Sequence, residues 1–170
     1  MVRAMGEWMT LDVRQAKAEE IRALRHDVLR PGYPLEASVY AEDDDSAVHV
    51  GAWDDGELVG CATVFPQAWA GPAPAPEPAA WRLRGMAVAT GRQTGGVGTQ
   101  VLAAAVRAAC EGGARLMWAN ARSSALGFYL RHGWEVAGEE FLTADTGLPH
   151  FPIVLADPAV GLIVPNSANP

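Results

Sequence analysis

Apolar and polar residues alternate along two neighbouring stretches of the chain, and this alternation predicts a β-hairpin. The stretches are residues 47–54 and 57–66, AVHVGAWD and ELVGCATVFP, with Asp55-Gly56 between them. Asp-Gly favours the positive φ angles of a tight two-residue turn. Strand-like patterns predict further strands at residues 9–14, 81–88, 115–120, 134–142 and 151–156.

Apolar residues recur at helical spacing in two longer segments. The first is residues 17–30, and its apolar face consists of Ala18, Ile21, Leu24 and Val28. The second runs from Thr99 to Glu111, and Gly112-Gly113 follows it as a typical C-terminal cap. Both segments are therefore predicted to be amphipathic helices that pack against the strands.

A third and shorter helix is predicted within residues 123–133, with Ser123 and Gly133 as its caps. The order along the chain is then β-α, hairpin and β-α-β-α-β-β. This order predicts an α/β chain of the α+β type, with a mixed sheet and helices packed against it.

The Pro- and Ala-rich stretch 67–80 is predicted to be an extended loop inside one domain. The strands on either side need each other to bury their apolar faces. We therefore expect a single domain over residues 8–157, with tails at 1–7 and 158–170.

The charge balance argues against a nucleic-acid partner. The chain has 13 Lys and Arg residues against 20 Asp and Glu residues, a net charge of -7, and offers no basic face for a phosphate backbone. The acidic run Glu42–Asp45 favours a solvated surface, and it could instead attract a cationic substrate. The overall balance favours a cationic small amine as substrate.

Cysteine usage and hydropathy favour a cytoplasmic protein with no membrane partner. Cys61 and Cys110 stand in apolar runs without metal-ligand spacing, which predicts buried thiols in a reducing compartment and no bound metal. The sequence contains no run of about 18 apolar residues, which a membrane span would need. The first ten residues also lack the apolar core of a signal peptide.

Four glycines fall within eight residues of the stretch GRQTGGVGTQVL, residues 91–102, between a predicted strand and a predicted helix. A glycine-rich turn at a helix N-terminus favours anion binding, because unpaired N–H groups and the helix dipole point at the ligand. Val97 stands where a phosphate-binding Walker loop needs lysine, and Val101 stands where a dinucleotide loop needs its third glycine. Another phosphate ligand, or a turn without a ligand, remains open from these residues alone.

Two motifs together resemble the GCN5-related N-acetyltransferases (GNAT). Gln93, Gly96 and Gly98 match the Gln-x-x-Gly-x-Gly loop that wraps the diphosphate of acetyl-CoA in that family. Downstream, WANARSSALGFYLRHGWEV matches the second signature at Asn120, Ala125, Phe128, Tyr129, Gly133 and Trp134. The C-terminal part, with Gly147-Leu148-Pro149-His150, also resembles a bacterial subgroup of predicted acyltransferases that has a Gly-Ile-Pro-His segment. The resemblance implies a GNAT-like fold with a mixed, mostly antiparallel and twisted sheet.

The resemblance also implies roles for individual residues. Tyr129 would be the general acid that protonates the thiolate leaving group. The strand before the glycine loop has no carboxylate, so His49, His150 or a water chain would act as the base. The residues expected to bind the cosubstrate are Met86, Ala87, Val88, Arg92, Gln93, Thr94, Gly95, Gly96, Val97, Gly98, Thr99, Asn120, Phe128 and Tyr129.

The implied activity is acetyl transfer from acetyl-CoA to a primary amine, on a small molecule or a peptide, by direct transfer in a ternary complex. A non-catalytic acyl-CoA sensor of the same fold is the alternative, because the strand carboxylate is missing. A different nucleotide-phosphate binder is a third hypothesis. The exposed edge of a mixed sheet makes a homodimer possible.

Overall fold

The computed structural model describes residues 11–40, 45–71 and 79–160, and its strands form one sheet. The strands are β1 (Asp12–Ala16), β2 (Val48–Asp54), β3 (Glu57–Pro66), β4 (Ala80–Val88), β5 (Leu116–Arg122), β6 (Glu135–Val136), β7 (Phe141–Leu142) and β8 (Pro149–Ala156). The helices are α1 (Ala18–Leu29), α2 (Val97–Glu111) and α3 (Leu126–Arg131). The sheet order is β1-β2-β3-β4-β5-β8-β6, and β7 also pairs with β8. Every described pair is antiparallel except β4 with β5, so the predicted mixed sheet is confirmed.

Helices α1 and α2 cover opposite faces of the sheet. Successive side chains of a strand point to opposite faces. On β3, Cys61 packs in a cluster with Ile21 of α1, whereas Ala62 belongs to the main core with Val101 of α2. Helix α3 packs on β5.

The hairpin prediction is confirmed in register and in turn type. Asp55 and Gly56 both have positive φ, 51° and 80°, as the tight turn requires. The first strand is shifted from residues 9–14 to Asp12–Ala16, and residues 9 and 10 lie outside the described ranges. Its pairing with β2 places Val13 opposite Ala52 and thereby sets this register.

Strands β4 and β5 pair only at their first residues and then diverge. The parallel pairing runs from Ala80 opposite Leu116 to Arg82 opposite Trp118. Just beyond it, β4 has a bulge at Gly85-Met86, where its pairing with β3 slips by one residue and Gly85 takes φ +64°. A bulge bends the strand and increases its twist. The later residues of β4 are therefore left unpaired with β5.

The prediction of one continuous strand over residues 134–142 is wrong. The segment instead forms the short strands β6 and β7, which pair with the same edge of β8 on either side of an irregular stretch. Ala137 still donates to Pro152 O at 2.8 Å. Two glutamates and Gly138 in residues 137–140 weaken the local strand preference, which explains the interruption.

Two other local predictions need correction. Ser123 does not cap a helix: it begins a turn of 3-10 helix at Ser123–Ala125, and its hydroxyl donates to Glu140 at 2.6 Å. Helix α2 begins at Val97, two residues before the predicted start, because Gly96 with φ +77° already serves as its N-cap. Gly113 and Gly133 have positive φ after the two helices, as predicted for the caps.

The apolar face predicted for the first helix contains a buried cation. Arg25 of α1 is completely buried and donates to Ser38 O at 3.0 Å and to Thr63 Oγ1 at 2.7 Å. Its guanidinium also stacks over the Tyr40 ring at 4.3 Å. These contacts give the buried guanidinium partners for its terminal nitrogens, while its Nε is buried without a hydrogen bond. Most of the acidic run, Glu42–Asp44, lies outside the described residues, as does 72–78 of the proline-rich loop.

Candidate active site

The divergence of β4 and β5 opens a cavity of about 850 Å³. One end borders the glycine loop, where Val88, Gln93, Gly98 and Phe128 line the wall; we call it the loop end. The other end is lined by Arg30, Arg82, Arg84 and Arg122, together with Leu29, Tyr40, Asp145 and His150; we call it the arginine end. The volume is in the range of small-molecule sites.

The N-terminus of α2 faces the loop end without a neutralising side chain. Its N-cap, Gly96, makes no side-chain hydrogen bond, and no acidic residue lies in the first turn. The helix has 15 residues, and its first-turn N–H groups therefore present unmet donors and a positive dipole end. This arrangement suits an anion such as a diphosphate.

Gly98 brings the backbone of α2 close to the opposite wall of the cavity. A Cβ on Gly98 would lie 3.3 Å from the Phe128 ring and 3.6 Å from Val88 Cγ2. The glycine therefore leaves only a narrow space between helix, strand and ring. This close packing explains the glycine, because a larger side chain would press against the Phe128 ring and Val88.

The side chains of the glycine loop point in different directions. Arg92 forms an ion pair with Asp54 at the end of β2 and does not line the cavity. Gln93 does line it and donates to Val88 O at 3.4 Å. Val97 is fully buried in the core, so only its backbone can face a ligand. Thr94 and Gly95 are exposed.

His132 bridges the start of α2 and the end of α3. Its Nδ1 lies 2.7 Å from Phe128 O and therefore donates, and its Nε2 lies 3.1 Å from the Thr99 hydroxyl. The Phe128 and His132 ring centroids are 4.4 Å apart. This contact fixes Phe128 over the loop end.

Tyr129 contributes a buried hydroxyl to the cavity wall. Its side chain is 8% exposed, its ring packs edge-on against Phe128 and Trp134, and its hydroxyl donates to Met86 Sδ at 3.5 Å. A thioether is a weak acceptor, so a stronger one can displace it. Burial raises the pKa of Tyr129 to about 12. The phenol consequently stays protonated at neutral pH.

The other predicted residues of the two strands reach the cavity where the strands separate. Met86, Ala87 and Val88 line it from β4, and Asn120 lines it from β5. Because these β4 residues do not pair with β5, their side facing β5 is open to an extended ligand chain.

The two candidate bases occupy different surroundings. His150 lines the arginine end, and its Nδ1 lies 2.9 Å from Leu148 O. A carbonyl only accepts, so Nδ1 carries the hydrogen and Nε2 carries the lone pair in the neutral ring. His49 is buried on β2, lies 2.8 Å from Thr63 Oγ1 through its Nδ1, and is absent from the cavity wall.

Sequence reasoning missed the arginine end. Arg82 and Arg84 lie on β4 and Arg122 lies on β5, so strand alternation alone puts Arg82 and Arg84 on one face. Arg122 donates to Leu29 O at 2.7 Å, and Arg30 pairs with Asp145 at 2.6 Å. The signal was present in the alternating pattern WRLRG, but only the divergence of the strands turns it into a cavity wall.

Three further features concern metal binding, membrane crossing and the buried thiol. Within residues 11–40, 45–71 and 79–160, no cluster of three or more His, Cys, Asp or Glu side chains could hold a metal ion. No helix in the same ranges is long and apolar enough to cross a membrane. Burial raises the pKa of Cys61 to about 12, against a smaller opposing effect of Arg25.

The fold resembles solved acyltransferases. An acyl-CoA N-acyltransferase from Pseudomonas aeruginosa superposes with a TM-score of 0.61 at 19% identity, covering 86% of this chain and 100% of that chain. An aminoglycoside 6'-N-acetyltransferase solved with coenzyme A superposes with a TM-score of 0.66 at 14% identity, covering 92% and 99%. At these identities the likeness shows the fold.

Sequence comparison identifies the family. The uncharacterized N-acetyltransferase YitI of Bacillus subtilis (strain 168) is 33% identical over 132 residues, which cover 77% of this chain and 87% of that protein. Residues 13–134 match the model of the acetyltransferase (GNAT) family, and this range includes the glycine loop and Tyr129. The chain therefore belongs to the acetyltransferase (GNAT) family.

Proposed function

We propose that this protein transfers the acetyl group of acetyl-CoA to a primary amine, on a small molecule or a peptide, directly within a ternary complex. The observation that carries the proposal is the continuous cavity between β4 and β5. It borders the uncapped N-terminus of α2 at one end and the arginine end at the other. Donor and acceptor can therefore meet in one space, as direct transfer requires.

The donor would bind along the loop end. Backbone N–H groups from Gln93 to Thr99 would hold its diphosphate, helped by the α2 dipole. The pantetheine chain would lie along Met86–Val88 and contact Asn120, with Phe128 over it. Arg92 contributes through its ion pair with Asp54, which fastens the loop to the β2–β3 hairpin.

Tyr129 would donate the proton that the thiolate takes as the carbon–sulfur bond breaks. A phenol with a pKa of about 12 is a weak acid toward a thiolate in water. Burial acts on thiols in the same direction, however, since the pKa of buried Cys61 is also raised to about 12. A thiolate formed beside Tyr129 would be desolvated too, which raises the pKa of its thiol and favours the proton transfer.

His150 would accept the proton that the attacking amine loses. Its Nδ1–H is held by Leu148 O, which leaves the Nε2 lone pair on a ring that lines the same cavity as Tyr129. Histidine is the side chain that most often serves as a general base in enzymes. Water could relay the same proton, and His49 would act only through such a relay from its buried place on β2.

Direct transfer is supported by the location of the cysteines. Neither Cys61 nor Cys110 lines the cavity, and burial raises the pKa of both thiols. A protonated buried thiol is a poor nucleophile, so a covalent acetyl-cysteine has no support. A cytoplasmic location and a homodimer remain predictions from the sequence.

Release of CoA thiol from acetyl-CoA, measured across a panel of primary amines, tests the proposal. We expect amine-dependent release and an acetylated product by mass spectrometry. A second candidate is a non-catalytic acyl-CoA sensor, which the absence of Asp and Glu from β4 favours. Tight acetyl-CoA binding without amine-dependent release across the panel would support the sensor and contradict the proposed transfer.

A further inference from the structure

The arginine end of the cavity is more positive than the chain as a whole. This end is lined by Arg30, Arg82, Arg84 and Arg122, against one carboxylate among the described residues, that of Asp145. The chain itself has a net charge of -7. Cavities with low-dielectric walls focus the field of the charges that line them. The local charge therefore argues against the cationic substrate that composition had suggested.

Arg122, at this end of the cavity, forms no salt bridge of its own among the described residues, although Asp145, the partner of Arg30, lies close enough to act on its charge. Its guanidinium donates one hydrogen bond, to Leu29 O at 2.7 Å, and no salt bridge in the described ranges includes it. That carbonyl is at the end of α1 and carries only a partial charge. The remaining N–H donors of the guanidinium are thus available to a ligand in the cavity.

The single carboxylate nearby is committed to another arginine. Asp145 pairs with Arg30 at 2.6 Å, and the Arg30 side chain is 14% exposed. Burial lowers the pKa of Arg122 and the nearby charge of Arg30 lowers it further, against smaller opposing effects of Tyr40 and Asp145. A second anion would relieve both effects, because it would compensate the desolvated cation.

The position of Arg122 would hold a bound anion close to the reacting centre. Asn120 and Arg122 are two residues apart on β5 and both line the cavity, which puts their Cα atoms about 7 Å apart. Arg122 is also opposite His150 in the pairing of β5 with β8. An amine close to His150 would thus have its own substituents within reach of the guanidinium.

We propose that the acceptor carries a carboxylate as well as its amine, and that the Arg122 guanidinium binds this carboxylate at the arginine end. Arginine suits a carboxylate because its planar fork donates two parallel hydrogen bonds. The substrate class is then amino acids and other amino-carboxylates. This inference rests on the proposed function and narrows its acceptor.

Matched substrate pairs test the inference. The α-amino acids, β-alanine and γ-aminobutyrate are each assayed beside their own carboxamides, which keep the amine and remove the negative charge. We expect the preferred acids to exceed their amides in kcat/KM by about tenfold or more, the effect of one charge-assisted hydrogen bond. Amides that are acetylated as well as the acids would overturn the inference and leave the proposed acetyl transfer intact.

The variant R122Q tests the residue, and R115Q, at an exposed arginine outside the cavity, is the matched control. We expect R122Q to raise KM for the acid and to reduce the acid-over-amide ratio toward one, with donor binding unchanged. R115Q should keep the wild-type ratio. An unchanged ratio in R122Q would overturn the assignment.

Binding measured without turnover separates the two proposals. The CoA-loaded protein is titrated with the amino acids and the carboxamides by calorimetry, in wild type and R122Q. If the wild type binds the amino acids and R122Q does not, the inference is supported, even when no acetyl transfer is detected. In that case only the proposed function fails. The absence of carboxylate binding in the wild type would contradict the inference.

Discussion

At the scale of single residues, Tyr129 depends on burial for its proposed role. Its ring lies among Phe128 and Trp134, and its hydroxyl contacts only the sulfur of Met86 among the hydrogen-bond partners described. A thioether donates nothing and accepts weakly, so the O–H is easily redirected to a stronger acceptor. The same burial that raises the pKa of Tyr129 keeps the phenol protonated until a thiolate forms beside it.

Replacing Tyr129 with phenylalanine should separate catalysis from binding. We expect Tyr129→Phe to lower kcat by about tenfold or more, since general acid catalysis commonly contributes at least that much. The acetyl-CoA dissociation constant should not change, because the ring and its packing are kept. Tyr33→Phe, at a tyrosine that is 44% exposed, is the control and should have no effect. A wild-type kcat in Tyr129→Phe would exclude Tyr129 as the acid.

The pH dependence of kcat should show the raised pKa of Tyr129. The acid form is the active one, and a pKa of about 12 extends that form to higher pH than an ordinary phenol near 10. Activity should therefore show no loss between pH 8 and pH 10, with folding checked by circular dichroism at each pH. A loss of kcat with an apparent pKa near 10 in folded protein would contradict this environment.

Individual residues differ in how far sequence could predict them. Tyr129 and Asn120 belong to a motif, and the structure does place both in the cavity wall. Arg122 and Arg30 belong to no motif, and their proximity arises only when the end of α1 meets the end of β5. The pairing of Arg92 with Asp54 was equally invisible, because the partners are 38 positions apart.

At the scale of elements, the N-terminus of α2 is the feature on which donor binding depends. A helix normally gains stability from an acidic residue or a capping side chain in its first turn. This helix has neither, and its N-cap is a glycine with φ +77°. The element is less stable than it could be, as expected where a ligand supplies the missing negative charge.

A glutamate in the first turn should therefore have opposite effects on stability and binding. In Thr99→Glu we expect the free energy of unfolding to rise by about 0.3–1 kcal/mol relative to Thr99→Gln. The dissociation constant of CoA should rise about tenfold relative to the same control, because the carboxylate repels the diphosphate. Chemical denaturation and calorimetry measure the two effects.

Thr99→Gln is a close control, since both variants lose the contact between Thr99 and His132 and differ in one charge. Equal CoA affinity in the two variants would show that the diphosphate does not bind at this helix end.

The sequence predicts this helix well because its apolar period is long and its glycine cap is unambiguous. The predicted start of the helix lies two residues too late, because glycines favour a loop, although Gly98 is already helical.

At the scale of the whole molecule, the sheet was predictable and the cavity within it was not. Alternation and turn residues identify the hairpin and most strands, since these depend on local pattern. The divergence of β4 and β5 depends on the bulge at Gly85 and on packing from α1, α2 and α3, which no local window contains. The places of β6 and β7 in the sheet were likewise not predictable from local pattern, because they are set by pairing with β8.

Thermal unfolding of the whole chain with ligands tests the central claim most directly. Acetyl-CoA, CoA, ATP and NAD are compared at equal concentration, because a ligand stabilises only the state that binds it. At about one hundred times the dissociation constant, we expect both CoA forms to raise Tm by about 5–10 °C and ATP and NAD to leave it unchanged. An unchanged Tm with both CoA forms, or an equal rise with ATP or NAD, would contradict it.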